Sequence, residues 1–278
     1  MKFIFIADFF SNQIMGGGEL NNDEAVDQLI KMGHKVTKIN SHVVTSKLIK
    51  DNVDSNYIIA NFINLSKPCM AELMNRNYII YEHDHKYLKT RNPAFYKDYK
   101  APKDEIINLD FYKNAKAVLC QSSFHASIIK KNINIDNIVN LSGNLWSEKS
   151  LKIMKNIADT SKKNICSIMN SRIPHKNTSD AIKFCKAKNL DYELISSTNY
   201  EDFLAMLGAN DKFVFFPKTP ETLSRVAVEA RMMNMSVIVN KNLGATHEPW
   251  FKLKGKDLID IVYEMRNQIP LKIVKVFS

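Results

Sequence analysis

Apolar residues fall in short runs at 3–6, 35–39, 57–60, 78–81, 117–120, 137–140, 164–169, 192–195, 213–216 and 236–239, each bounded by polar or Gly- and Pro-containing stretches. Runs of this length predict buried strands, and most are separated by segments whose apolar residues recur at helical spacing. Such alternation predicts a mostly parallel sheet with helices on both faces, an α/β protein. The first six strands form one Rossmann-like domain over 1–145. The polar, Lys-rich stretch 146–163 has a helical pattern and is expected as a linker. A second Rossmann-like domain is expected over 164–260, and 261–278 as a tail packing back on the first domain.

A chain of 278 residues with 45% hydrophobic content is long enough for two modest domains. No apolar stretch is long enough to span a bilayer. The N-terminal apolar run leads straight into Asp8, a strand rather than a signal peptide, so a cytoplasmic protein without a transmembrane segment is expected. Cys69, Cys120, Cys166 and Cys185 are scattered with no C-x-x-C pair, which predicts buried, reduced thiols and no zinc site. The formal charge of +10 favours anionic partners: a nucleotide sugar, lipid phosphates, an anionic surface or nucleic acid.

Open α/β sheets bind ligands at the carboxyl ends of their strands, and the polar residues there carry the candidate chemistry. The run 213–216 ends in Pro217-Lys218-Thr219-Pro220-Glu221, which delivers Glu221 to that edge. Leu223, Val226, Ala227 and Ala230 then mark one helical stripe with Glu229 at its polar flank. The start of that helix, at Leu223 and Ser224, offers unpaired backbone N–H groups and a positive dipole end to a phosphate. Glu229, two turns on, is an acceptor-only carboxylate suited to a ribose diol. After the run 164–169, Arg172 and Lys176 provide a planar fork and a mobile ammonium for a dianionic leaving group. Thr178 or Ser179 is placed to cap the helix that follows, and Ser122 to cap an earlier one.

Gly16-Gly17-Gly18-Glu19 follows the first strand and lacks both the dinucleotide fingerprint and the P-loop Gly-Lys-Ser/Thr, so NAD enzymes and P-loop ATPases are disfavoured. After the fourth strand comes Glu82-His83-Asp84-His85. Two histidines flanking an aspartate are compatible with metal binding, but no third ligand follows, and no metal site is expected. The segment 86–103 carries Lys86, Lys89, Arg91, Lys97, Lys100 and Lys103 among Tyr87, Phe95, Tyr96 and Tyr99. That mixture suits phosphates and stacked bases, or peripheral contact with an anionic surface.

The spacing of Glu221 and Glu229, with Ala230 next and the loop Lys241-Asn242-Leu243-Gly244-Ala245 after the following strand, resembles the E-x7-E element of retaining GT-B glycosyltransferases of the family 4 type. Arg172 with Lys176 resembles the same family's Arg and Lys loop. Gly-Gly-x-Glu resembles its first loop, and Leu141-Ser142-Gly143-Asn144 resembles the turn that closes its first domain. Glu221 is followed by Thr222-Leu223-Ser224-Arg225 where family members carry Gly-Phe-Gly, so close backbone approach to the donor is altered.

The resemblance implies two Rossmann-like domains with a central cleft, and transfer of a sugar from a nucleoside diphosphate to a hydroxyl acceptor with no cofactor or metal. It places Arg172, Lys176, Glu221 and His83 in the catalytic machinery. Gly17, Gly18, Asp84, Glu229, Leu223 and Ser224 become substrate-binding, with His83 and Asp84 touching the transferred sugar. A glycan, a lipid-linked glycan and a modified DNA base all qualify as acceptor. The competing expectation is a non-catalytic polyanion- or nucleic-acid-binding protein on the same scaffold.

Overall fold

The computed structural model describes every residue from Met1 to Ser278. The chain divides into two compact units, one of Met1–Leu145 with Arg266–Ser278, the other of Trp146–Met265.

Unit 1 is built from β1 (Lys2–Ala7), α1 (Gly17–Lys31), β2 (Lys35–Asn40), α2 (Ser46–Lys50), β3 (Asn56–Ile59), α3 (Lys67–Leu73), β4 (Tyr78–Tyr81), α4 (Leu109–Asn114), β5 (Val118–Cys120), α5 (Ser123–Asn132) and β6 (Ile138–Asn140). Its six strands are parallel in the order β2-β1-β3-β4-β5-β6. The inner strands β3 and β4 are buried almost throughout, as strands covered on both faces must be, whereas the edge strand β2 alternates with Lys and Thr and is half exposed. Strand order reverses between β1 and β3, and a crevice opens at such a switch point. Asp8, buried at the end of β1, closes this region: it accepts from the backbone N–H groups of Ile63 (3.0 Å) and Asn64 (3.1 Å) and from Ser41 Oγ.

Unit 2 comprises α6 (Glu148–Ala158), β7 (Lys163–Met169), α7 (Thr178–Ala187), β8 (Tyr192–Ile195), α8 (Tyr200–Gly208), β9 (Asn210–Phe215), α9 (Arg225–Met232) and β10 (Ser236–Val239). Its four parallel strands run β10-β9-β7-β8, so the reversal falls between β7 and β9. Helix α10 (Gly255–Phe277) begins in unit 2 and ends in unit 1, where Phe277 meets Phe3 edge-on at 5.5 Å and Lys272 Nζ donates to the Leu141 carbonyl at 3.3 Å. Arg266, also buried, donates to Glu24 Oε1 at 2.8 Å, and Gln28 Nε2 donates to the same oxygen at 2.7 Å.

The ten strands lie where the apolar runs place them. Three local expectations differ. The stretch 146–163 holds α6, with Leu151 and Met154 buried one turn apart, and it groups with unit 2. The end of the chain is one continuous 23-residue helix, α10, rather than a tail, with Pro270 accommodated inside it. Helix α7 is preceded by Asn177 in the left-handed region; Thr178 Oγ1 donates instead to the Met169 carbonyl at 2.8 Å. In the turn at 141–144, Ser142 stands in the left-handed region at φ 55°. Ser122 does cap α5, accepting from the His125 N–H at 3.1 Å. All four cysteines are buried and unpaired. No helix is long and apolar enough to cross a membrane.

Candidate active site

In unit 2 the loops that leave β7 and β9 flank the switch point, and they carry Lys176 and Glu221. Lys176 sits in a single helical turn, Pro174–Lys176, followed by Asn177 at φ 58°. Asn177 Nδ2 donates to the Phe216 carbonyl at 2.8 Å and the Lys218 N–H to the His175 carbonyl at 2.8 Å, so the two loops are tied together by backbone. Lys176 Nζ then donates to Glu221 Oε1 at 2.8 Å, with both side chains mostly buried. Glu221 is fixed by its own backbone, which pairs with the loop after β10: its N–H donates to the Asn242 carbonyl (2.7 Å) and its carbonyl accepts from the Gly244 N–H (2.9 Å). The loop residues that follow the strands therefore form a miniature extension of the sheet. Arg172 lies on the same loop as Lys176 and is exposed.

Leu223 is buried, and Ser224 enters α9 in the left-handed region at φ 77° with its hydroxyl buried and unbonded. A left-handed serine replaces the glycine expected for a close approach and aims the first N–H groups of α9 out of the helix end. Glu229 is buried, not at an exposed polar flank. Its Oε1 accepts from Trp146 Nε1 at 2.9 Å and Tyr200 OH at 2.7 Å, with Arg225 Nε at 3.6 Å. The Arg225 guanidinium lies 4.3 Å over the Trp146 ring. Burial, then the Glu229 charge, raises the Tyr200 hydroxyl far above its ordinary range, so it stays a donor. Helix α9 is enclosed nearly all round, and Glu229 is tolerated inside because two hydrogen-bond donors and the Arg225 guanidinium surround it.

In unit 1 the glycines begin α1 itself. Gly16 is its N-cap without a side-chain bond, and Gly17 and Gly18 form its first turn. The Glu19 carboxylate folds back over Gly16, where a Cβ would collide with Glu19 Oε2. Burial outweighs a bond from its own backbone N–H and, with Asp8 and Asp23 nearby, raises its pKa. A Cβ on Gly18 would rest 3.7 Å from His83 Cγ, so the first turn of α1 runs beside that ring.

His83 leaves β4 with Nε2 2.6 Å from Asn22 Oδ1 and Nδ1 against Gln121 Nε2. Asp84 is held by Lys86 Nζ at 2.7 Å and Arg91 Nη1 at 3.4 Å. The same Lys86 ammonium donates to the fully buried Glu82 at 2.6 Å, and Tyr112 OH also donates to Glu82. Burial raises the Glu82 carboxyl, whereas Lys86 overcomes burial to hold Asp84 low; Lys86 in turn is held above its usual value by Asp84 and Glu82 against the effect of burial. His85 is buried, bonded to Tyr87 OH at 3.0 Å, and lowered to about 4 by burial. The two histidines thus serve different partners, and no group of three or more His, Cys, Asp or Glu side chains is placed to hold a metal ion.

The basic aromatic segment divides. Lys86 and Tyr87 belong to the interior, since they are tied to the buried network, and Tyr99 packs on Phe124 at 5.8 Å. Phe95 is 72% exposed, with Lys89, Arg91, Lys97, Lys100 and Lys103 also exposed.

The structure brings together Lys176 with Glu221, Glu229 with Arg225, and His83 with the start of α1. Asn22, Gln121, Trp146, Tyr200 and Arg225 were given no role in the sequence reading, and Lys86, read there as part of the basic segment, belongs to the interior. Gln121 was findable, because it directly follows β5 at the carboxyl edge; Asn22 and Trp146 act across long chain separations that no local pattern announces.

No protein-family model matches the chain, and no curated protein matches it. Among solved structures it is similar to HepE of Anabaena in complex with UDP-glucose, at 13% identity and a TM-score of 0.54, covering 97% of this chain and 90% of that one. It is also similar to an alpha-glucosyltransferase in complex with UDP and a 13-mer DNA containing an HMU base, at 12% identity and a TM-score of 0.52 over the same shares. At these identities the likeness is one of fold. Two parallel α/β units in this order are the GT-B fold.

Proposed function

We propose that the chain is a retaining, metal-independent glycosyltransferase that moves a sugar from a nucleoside diphosphate to a hydroxyl acceptor. The observation that carries this reading is the Lys176–Glu221 pair, 2.8 Å apart on the two loops of unit 2's switch point. A mobile ammonium and a carboxylate, held by backbone beside the open end of α9, supply what a departing diphosphate and a sugar hydroxyl each need. The folds it shares with enzymes bound to UDP and UDP-glucose favour a uridine donor.

In this reading the bond between the anomeric carbon and the diphosphate oxygen breaks, and its electron pair leaves with the phosphate. Lys176 and Arg172 take up that charge, with the N–H groups at Leu223 and Ser224. The acceptor oxygen bonds to the same face of the anomeric carbon, and its proton passes to the departing phosphate. Glu221 holds the sugar. Glu229 meets the ribose through Oε2, its Oε1 being bonded to Trp146 and Tyr200. In unit 1, Gly17, Gly18 and Asp84 are assigned to substrate hydroxyls and His83 to ring contact with the transferred sugar, and no cofactor enters.

For the acceptor, a glycan, a lipid-linked glycan or a hydroxylated DNA base fits the exposed Phe95 with its surrounding cations. The decisive experiment is a melting assay with UDP, GDP, ADP and their sugars, since a ligand bound only by the native state raises its Tm. Stabilisation by UDP or UDP-sugar, followed by release of UDP with an added acceptor, is the expected result. Absence of any nucleotide-dependent shift overturns the reading in favour of a non-catalytic polyanion binder.

A further inference from the structure

Two hydrogen-bond contacts of His83, to Asn22 and Gln121, bear on the state of its ring. Gln121 Nε2 lies 3.3 Å from the Glu82 carbonyl oxygen, which can only accept, so this end of Gln121 is the donor. The same nitrogen abuts His83 Nδ1, which must therefore be the accepting, unprotonated nitrogen. A neutral imidazole has one of each, so Nε2 carries the hydrogen and donates to Asn22 Oδ1 at 2.6 Å. Turning the Asn22 amide over would put donors on both nitrogens, which a neutral ring cannot satisfy. Protonating Nδ1 would set it against the Gln121 donor.

Both partners are anchored. Asn22 is fully buried within α1, and Gln121 is buried directly after β5. The Tyr81 ring lies 4.9 Å from the His83 ring and Gly18 lies on its flank, so the imidazole is confined on its faces as well.

We infer that Asn22 and Gln121 are positioning residues that lock His83 as the neutral Nε2–H tautomer, so that His83 lines the sugar site as an uncharged wall and takes no proton from the acceptor. The role in transfer rests on the glycosyltransferase reading; the ring state does not. An imidazole held this way adds no positive charge beside an anomeric centre that itself becomes positive, which is the chemical benefit of the lock.

The test is long-range 15N–1H correlation spectroscopy of the labelled full chain at pH 7.5, with the His83 ring assigned by its loss in His83→Gln. One pyridine-like nitrogen at Nδ1 and one protonated nitrogen at Nε2 are expected. A doubly protonated ring, or hydrogen on Nδ1, overturns the inference even if UDP binds. The expected ring pattern in a protein that no nucleotide stabilises would sustain the lock and remove only the transferase reading. Gln121→Glu faces Nδ1 with an acceptor; the ring should become doubly protonated and turnover should fall at least tenfold, while UDP affinity stays within about twofold. Asn22→Leu should mix the tautomers and slow transfer, and Asn22→Asp, which keeps an acceptor at Nε2, should restore both. Unchanged turnover in Gln121→Glu with an altered ring would overturn the catalytic part.

Discussion

Lys176 Nζ donates to Glu221 Oε1 across 2.8 Å, so the cation proposed for the diphosphate is held by the carboxylate proposed for the sugar. Donor binding must exchange one partner for the other. Lys176→Ala is therefore expected to weaken UDP binding by roughly ten- to a hundredfold, in line with about 1.5 to 3 kcal/mol for a hydrogen bond to a charged group. Glu221→Gln frees the ammonium and should bind UDP at least as tightly as the wild type while losing more than about tenfold in kcat, the mark of an interaction made in the transition state. Titration calorimetry and a transfer assay on the two variants check both halves; weaker UDP binding in Glu221→Gln would contradict this exchange.

Glu229 accepts from an indole and a phenol in the interior of unit 2, with the Arg225 guanidinium beside it. Glu229→Ala removes the acceptor of both donors and the counter-charge beside Arg225, and loss of one member of a buried charged pair costs about 3 to 5 kcal/mol. Scanning calorimetry should show unit 2 melting well below its wild-type temperature. Trp146→Phe removes only one neutral donor and should cost about 1 kcal/mol. Similar losses in the two variants would mean that the carboxylate is not the centre of the cluster.

The Arg266–Glu24 pair is buried in unit 1 and joined by Gln28. Arg266→Met should destabilise by about 3 to 5 kcal/mol because it leaves Glu24 buried without its cation. Adding Glu24→Gln should recover a large part of that loss. A denaturant-unfolding double-mutant cycle measures the coupling, and additive losses would deny it.

Burial lowers His85 from an ordinary 6.5 to about 4. A histidine depressed in the folded state binds its proton first in the unfolded chain, so stability is full above pH 6.5 and declines as pH falls toward 4. At about 1.4 kcal/mol per unit, the contribution is roughly 3 kcal/mol. His85→Gln should flatten the dependence of Tm on pH across that window, although its Tm at pH 7.5 should be lower because the Tyr87 bond is altered. An unchanged slope would assign the acid sensitivity to other groups, the buried His125 first among them.

Strand positions were legible because a parallel strand buried on both faces has to be continuously apolar, as Ile79 and Ile80 are in β4. Lys176 and Glu221 were legible for a related reason: the ends of strands at a switch point are where polar residues can meet. Other features depended on chain-distant partners. Lys86 reads as one more surface cation in a basic run until Glu82 and Asp84 are seen to neutralise it in the interior. Glu229 reads as a solvent-facing helix residue until Trp146, 83 residues away, is seen to donate to it. Helical periodicity reports which side of a helix is apolar; it does not report a carboxylate made welcome inside by donors from other elements.

Because Arg266–Ser278 complete unit 1, that unit is closed only by a segment made after the whole of unit 2. At ordinary synthesis speeds of about 5 to 20 residues per second, the ribosome needs on the order of ten seconds to make the intervening segment, during which the Glu24 carboxylate and the Phe3 ring wait without their partners. Loss of Arg266–Ser278 would be felt first at Glu24 and Phe3, far away in the sequence.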